Sequence, residues 1–218
     1  LGLRQDPTTS LSVFENGNLN ITLFPRKFYD AGENGNLVYG NFITDYIHSE
    51  LPEKLQDFIS AGDPPIAIYM GLILSKDIVE TALELAKTGA RVIILGNADI
   101  FHDNIYVCSD IISDHILYPL CRFVLNHAGM GITSKCLVLN IPQLLVPQMQ
   151  EQQENAEYIS HMCAVINPEE FTTEKLLEVI NSDFYNFTAG LEYSREIRGS
   201  DGIHFIIKTL QEYKYLNG

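Results

Sequence analysis

Asn126-His127-Ala128-Gly129-Met130-Gly131-Ile132-Thr133-Ser134-Lys135 opens the stretch that decides the fold. It continues through an apolar run, Ile141-Pro142-Gln143-Leu144-Leu145-Val146-Pro147, into Gln148-Met149-Gln150-Glu151-Gln152-Gln153-Glu154-Asn155. The residues before it, Arg122 to Leu125, favour a strand. A helical segment is expected from Thr133 to Leu139, and a second buried strand from Gln143 to Val146, stopped by Pro147. Strand, glycine turn, helix and strand in that order form a phosphate-binding unit. Free backbone N–H groups and the positive end of the helix dipole both point at the turn.

Working outward, the same alternation recurs on both sides. Apolar strands are expected at Ile66 to Met70, Arg91 to Leu95, Ile105 to Cys108 and Ala164 to Ile166. Helices are expected at Leu51 to Ile59, Asp77 to Lys87, Glu151 to His161, Thr173 to Ile180, Phe184 to Ile197 and Gly202 to Tyr213, with a turn or short helix at Asp114 to Leu120. Continuous apolar strands alternating with helices specify an α/β fold, a Rossmann-like, doubly wound parallel sheet covered on both faces. Ligands of such sheets bind beyond the carboxyl ends of the strands. Gly71, the run His127 to Gly131, and the run Pro147 to Glu151 all lie at such ends. Residues 1–50 differ. Short apolar pieces at Leu11 to Phe14, Asn20 to Phe24 and Asn36 to Tyr39 are broken by Asn, Gly and Pro, so this segment reads as a few strands and loops. The division expected is 1–50 as a short irregular segment and 51–218 as the sheet domain.

Composition narrows the function. With 218 residues, 46% of them apolar and 19% charged, the chain is an ordinary globular protein. A net charge of −14 argues against nucleic acid, which needs a basic face, and against docking on anionic lipid by charge. No apolar run is long enough for a membrane span. Cys108, Cys121, Cys136 and Cys163 form no CxxC pair, so buried free thiols in a reducing, cytoplasmic setting are expected rather than a zinc site. The chain begins at Leu1 rather than methionine, as expected of a fragment, a processed product or a trimmed chain.

Several motifs, in order, resemble the C-terminal half of a GT-B glycosyltransferase, similar to the bacterial antibiotic and sterol glucosyltransferases that use UDP-sugars. Leu1-Gly2-Leu3 resembles the LGL of the interdomain segment, and Asn36 to Gly40 the strand before the linker. Leu51 to Pro65 resembles the entry to the donor domain, and Ile66 to Gly71 its first strand. Ser113 to Pro119 resembles PHDWLFP, His127 to Gly131 resembles HGGAG, and Pro147 to Ala156 resembles P-x-x-x-D-Q-x-x-N-A. Glu196 to Gly202 resembles the IR-x-x-DG near the last helix.

The resemblance implies a nucleotide-sugar donor site, on 1–50 as a remnant of an acceptor domain plus linker and 51–218 as the donor-binding domain. His127 then contacts the diphosphate. Gly129, Met130 and Gly131 bring backbone amides to it, with Thr133 adding a hydroxyl and Gly71 lying at the end of the first strand. Glu151 and Gln152 take sugar hydroxyls, with Asn155 after them. It implies transfer of a hexose from a donor such as UDP-glucose to an acceptor hydroxyl with inversion, no cofactor and no required metal. The general base belongs to an N-terminal acceptor domain, or to a separate acceptor subunit, so no catalytic residue is assigned in this chain.

Each position also has a plain structural reading. His127 suits a core histidine bonded to a carbonyl, the glycines suit a packed turn, Asn155 suits capping, and Gln150 to Glu154 suit a solvated helix start. The chain also departs from the family at three places: Leu72 where a serine is usual, Ile132 where a hydroxyl is usual, and Lys135 where a ribose-binding glutamate is usual. An ammonium cannot accept a hydroxyl proton, so Lys135 is expected to reach a phosphate or solvent. Two further readings stay open: a degenerate, non-catalytic binding protein, and an unrelated Rossmann-like domain such as an epimerase. The third calls for GxGxxG after the first strand, which Gly71-Leu72-Ile73-Leu74 does not supply.

Overall fold

The computed structural model describes residues 19–23, 25, 37–40, 42, 50–71, 74–182 and 202–217. The strand expected at Leu11 to Phe14, the helix expected at Phe184 to Ile197, and the departure at Leu72 lie outside the described residues.

The chain divides into two compact units, Leu1–Thr44 with Ile197–Gly218, and Asp45–Glu196. In the first unit, β1 (Asn20–Thr22) pairs in parallel with β2 (Leu37–Tyr39). Gly40 follows β2, and its N–H donates to Thr22 O at 2.8 Å. A Cβ there would lie 2.8 Å from that oxygen and 3.1 Å from the Phe205 ring, so only glycine fits this approach. The helix Gly202–Asn217 groups with this unit.

The second unit runs α1 (Glu53–Ser60), β3 (Ile66–Tyr69), α2 (Lys76–Lys87), β4 (Val92–Leu95), β5 (Ile105–Cys108) and α3 (Asp114–Leu117) with a 3-10 turn (Tyr118–Leu120). It continues with β6 (Phe123–Asn126), α4 (Met130–Leu139), β7 (Gln143–Leu145), α5 (Gln150–Ile159), β8 (Ala164–Val165) and α6 (Thr173–Asn181). The six strands form one parallel sheet in the order β5-β4-β3-β6-β7-β8. The chain therefore starts at the middle with β3, winds outward to β5, and crosses back to β6 on the other side.

Both faces of the sheet are covered, and this explains why the strands show no polar alternation. Ile66, Ile68, Val92, Ile94, Phe123 and Leu125 face Ile78, Ala82 and Leu85 of α2 and Leu176 and Ile180 of α6. The intervening residues Ala67, Ile93 and Val124 face Leu55, Leu117, Ile132 and Cys136. Each fully buried Ile, Leu or Phe contributes roughly 1.5–3 kcal/mol relative to an exposed one. Local signals set the ends: Ser75 Oγ accepts from Ile78 N at the start of α2, Thr172 Oγ1 accepts from Lys175 N at the start of α6, and Asn140 closes α4 in the left-handed conformation.

One boundary differs from expectation in a way that matters. Helix α4 begins at Met130, not Thr133, with Gly129 as its N-cap. Met130 and Gly131 are the first helical turn rather than part of a preceding loop.

Candidate functional site

The winding reverses between β3 and β6, and this is where a doubly wound sheet opens a crevice at its carboxyl edge. Gly71 follows β3 there, with φ of +84°. His127 to Gly129 leave β6 directly beside it, since Tyr69 is in register with Asn126.

The His127 ring lies against Tyr69. Its Nδ1 lies 3.4 Å from Tyr69 O, and its ring centroid is 5.6 Å from that of Tyr69. A carbonyl oxygen only accepts, so this contact places the proton on Nδ1. Nε2 is turned toward Gly129: a Cβ built on Gly129 would collide with it. The imidazole edge therefore rests over the start of α4. No side chain caps that helix, so its first N–H groups are left for something else. Gly131, in the first turn, is exposed, with open space where a Cβ would stand. An uncapped, glycine-flanked helix N-terminus with an imidazole beside it is an arrangement for an anion.

Ala128 bends the chain from β6 into α4 with φ of +60°, a conformation that costs a non-glycine residue about 1–2 kcal/mol. The surroundings hold it at both peptide groups. Ala128 N donates to Asn126 Oδ1 at 2.8 Å, and Ala128 O accepts from Asn155 Nδ2 at 3.0 Å. Asn126 Nδ2 in turn donates to Gln143 Oε1 at 3.1 Å, and Gln143 Nε2 donates to Thr133 O at 3.3 Å. Asn126 and Gln143 are buried, and their two carboxamides form a hydrogen-bonded chain that ties β6, the turn, α4 and β7 together. Neither residue was singled out in the sequence. The available signal was an amide inside each of two otherwise apolar strands.

The other expected site residues fall into two groups. Glu151 is exposed at the start of α5, and its Oε1 accepts from Asn155 Nδ2 at 3.2 Å. Asn155 thus links Glu151 to the turn. Gln152 and Thr133 sit deeper. Gln152 is buried, and its Oε1 accepts from Gln148 N at 2.7 Å, holding the loop after β7. Thr133 is fully buried and its Oγ1 has no hydrogen-bond partner. Met130 is half-buried in the first turn of α4.

Lys135 is turned to α3: its Nζ is paired with Asp114 Oδ2, and both side chains are about three-quarters buried. Tyr118 also bonds to Asp114. Burial first, then the Cys136 thiol and Asp114, push its hydroxyl pKa far above the usual phenol range. Ile132, in the position of the missing hydroxyl, packs in the core.

No family model matches the chain. Its curated relatives include a sterol 3-beta-glucosyltransferase of Arabidopsis thaliana, 30% identical over 148 residues, which is 61% of this chain and 23% of that protein. Another is the vancomycin aglycone glucosyltransferase of Amycolatopsis orientalis, 29% identical over 118 residues, or 51% of this chain and 29% of that one. The chain thus spans about a quarter of the length of the curated relatives it matches. Among solved structures, spinosyn forosaminyltransferase superposes with a TM-score of 0.73 at 19% identity, over 90% of this chain and 55% of that one. The fold is that of a GT-B glycosyltransferase half. Spinosyn rhamnosyltransferase, solved with thymidine diphosphate, gives a TM-score of 0.67 at 17% identity, over 88% of this chain and 56% of that one. These coverages are consistent with a C-terminal GT-B half.

No helix among the described residues is long and apolar enough to cross a membrane. The four cysteines are free thiols.

Proposed function

We propose that the chain is the donor-binding half of an inverting glycosyltransferase. It binds a nucleotide-diphosphate hexose, of which UDP-glucose is the first to test, for transfer to an acceptor hydroxyl. The observation that carries this reading is the His127 imidazole held over the uncapped N-terminus of α4. A diphosphate there meets the first N–H groups of the helix, the helix dipole and Nε2. Nε2, turned toward Gly129, is the ring nitrogen that meets the phosphate.

The same groups would stabilise charge on the diphosphate as it leaves, which is where a transferase of this kind needs electrostatic help. Glu151, exposed at the start of α5, supplies a carboxylate for sugar hydroxyls. The reaction needs no metal or cofactor in this reading, because the helix terminus and imidazole take the diphosphate charge. The general base and the acceptor pocket belong to an N-terminal acceptor domain or a separate acceptor subunit. A cytoplasmic setting, with free thiols and a soluble nucleotide-sugar supply, completes the reading.

A second reading, a non-catalytic GT-B-like binding protein, is favoured by two observations. Lys135 and Asp114 neutralise each other instead of offering a free carboxylate, and Ile132 replaces a hydroxyl. Calorimetric titration with UDP- and dTDP-hexoses separates the two. Saturable binding of a sugar nucleotide supports the donor-binding reading. Absence of binding by every UDP- and dTDP-sugar rejects it and leaves the non-catalytic one.

A further inference from the structure

We infer that Asn155 is a positioning residue that couples the diphosphate end of the site to its sugar end, rather than a donor ligand itself. This rests on the donor-site reading given above. Asn155 is buried, and its one carboxamide nitrogen serves two acceptors: Ala128 O in the turn at 3.0 Å and Glu151 Oε1 at 3.2 Å. A carboxamide nitrogen carries two hydrogens, so both bonds are made at once and neither hydrogen remains for a ligand.

The two acceptors have different duties. Ala128 belongs to the bend that aims His127, and its peptide is held in a left-handed conformation from both sides. Glu151 is one turn before Asn155 on α5 and exposed, and a long exposed carboxylate has several rotamers of nearly equal energy. The bond from Asn155 selects the rotamer that leans toward the turn. One oxygen is thereby fixed, and Oε2 has no protein partner among the described residues. The carboxylate that is to meet sugar hydroxyls is therefore set relative to the turn that is to meet the phosphates. Binding then costs less ordering at the sugar end.

The test is a double-mutant cycle read on sugar preference. Wild type, Asn155→Ala, Glu151→Ala and the double variant are titrated calorimetrically with UDP and UDP-glucose, and in parallel with dTDP and dTDP-glucose. The quantity compared is the preference for the sugar nucleotide over its own diphosphate. Each single variant is expected to lower it by about tenfold, the scale of one bond to a charged group. The double variant is expected to fall no further than Glu151→Ala, because Asn155 acts through that carboxylate.

Circular dichroism melting verifies that each variant is folded. Asn155→Asp, which keeps the side-chain shape and loses both donors, is read in the same way and stands in if Asn155→Ala does not fold. An unchanged preference in the Asn155 variants, or losses that multiply in the double variant, overturns the coupling. A wild type that binds none of the four nucleotides overturns the donor-site reading, and the coupling with it. Normal wild-type binding with multiplying losses rejects the coupling alone.

Discussion

Nε2 of His127 occupies the space in which a side chain on Gly129 would begin. The glycine is not needed for its backbone angles, since φ of −66° and ψ of 138° suit any residue. It is needed because the ring lies there. Gly129→Ala should therefore push the imidazole off the helix terminus while leaving the fold almost intact. The expected outcome is a nucleotide affinity about tenfold weaker, the scale of one charged hydrogen bond, with a melting temperature close to wild type. Calorimetric titration beside a thermal melt checks both. Unchanged affinity would mean that the position of the ring does not matter.

The pair Lys135 and Asp114 predicts a charge-swap result. Lys135→Glu sets a second carboxylate against Asp114 in a setting about three-quarters buried. It should destabilise the chain by about 2 kcal/mol, less than the loss from a fully buried pair. Adding Asp114→Lys should restore at least half of that, measured by urea unfolding. Equal stability of Lys135→Glu and wild type would show that the pair contributes nothing.

Stability should fall in alkali. Burial pushes the Cys121 and Cys163 thiols up to about 12. The folded chain then holds protons that the unfolded chain releases, so stability is at its full value below pH 9 and drains away between pH 9 and 12. Urea midpoints should be flat from pH 7 to 9 and decline above that, with Cys121→Ala reducing the decline. A midpoint that does not move up to pH 11 would contradict the burial of these thiols.

The sheet was legible in the sequence because burial on both faces leaves its strands almost wholly apolar. Ile66 to Tyr69 and Val92 to Leu95 each fall inside the expected run. Helix α4 begins earlier than expected because the bend is completed at Ala128, held by Asn126 and Asn155, so that Met130 and Gly131, read locally as a turn, form the first helical turn. The partners of Lys135 and Gln152 were not legible. One is satisfied 21 residues away on α3, and the other turns back onto a loop that its own helix creates. Asn126 and Gln143 escaped notice for a related reason: each looks like a flaw in an apolar strand until the other is seen beside it.

The most direct test of the central claim is titration of UDP-glucose and dTDP-glucose into wild type and His127→Ala. The site as described predicts saturable binding of at least one donor by wild type, and a loss of about tenfold or more in the variant. Binding that survives His127→Ala at full strength would contradict the placement of the donor site at the β6–α4 turn.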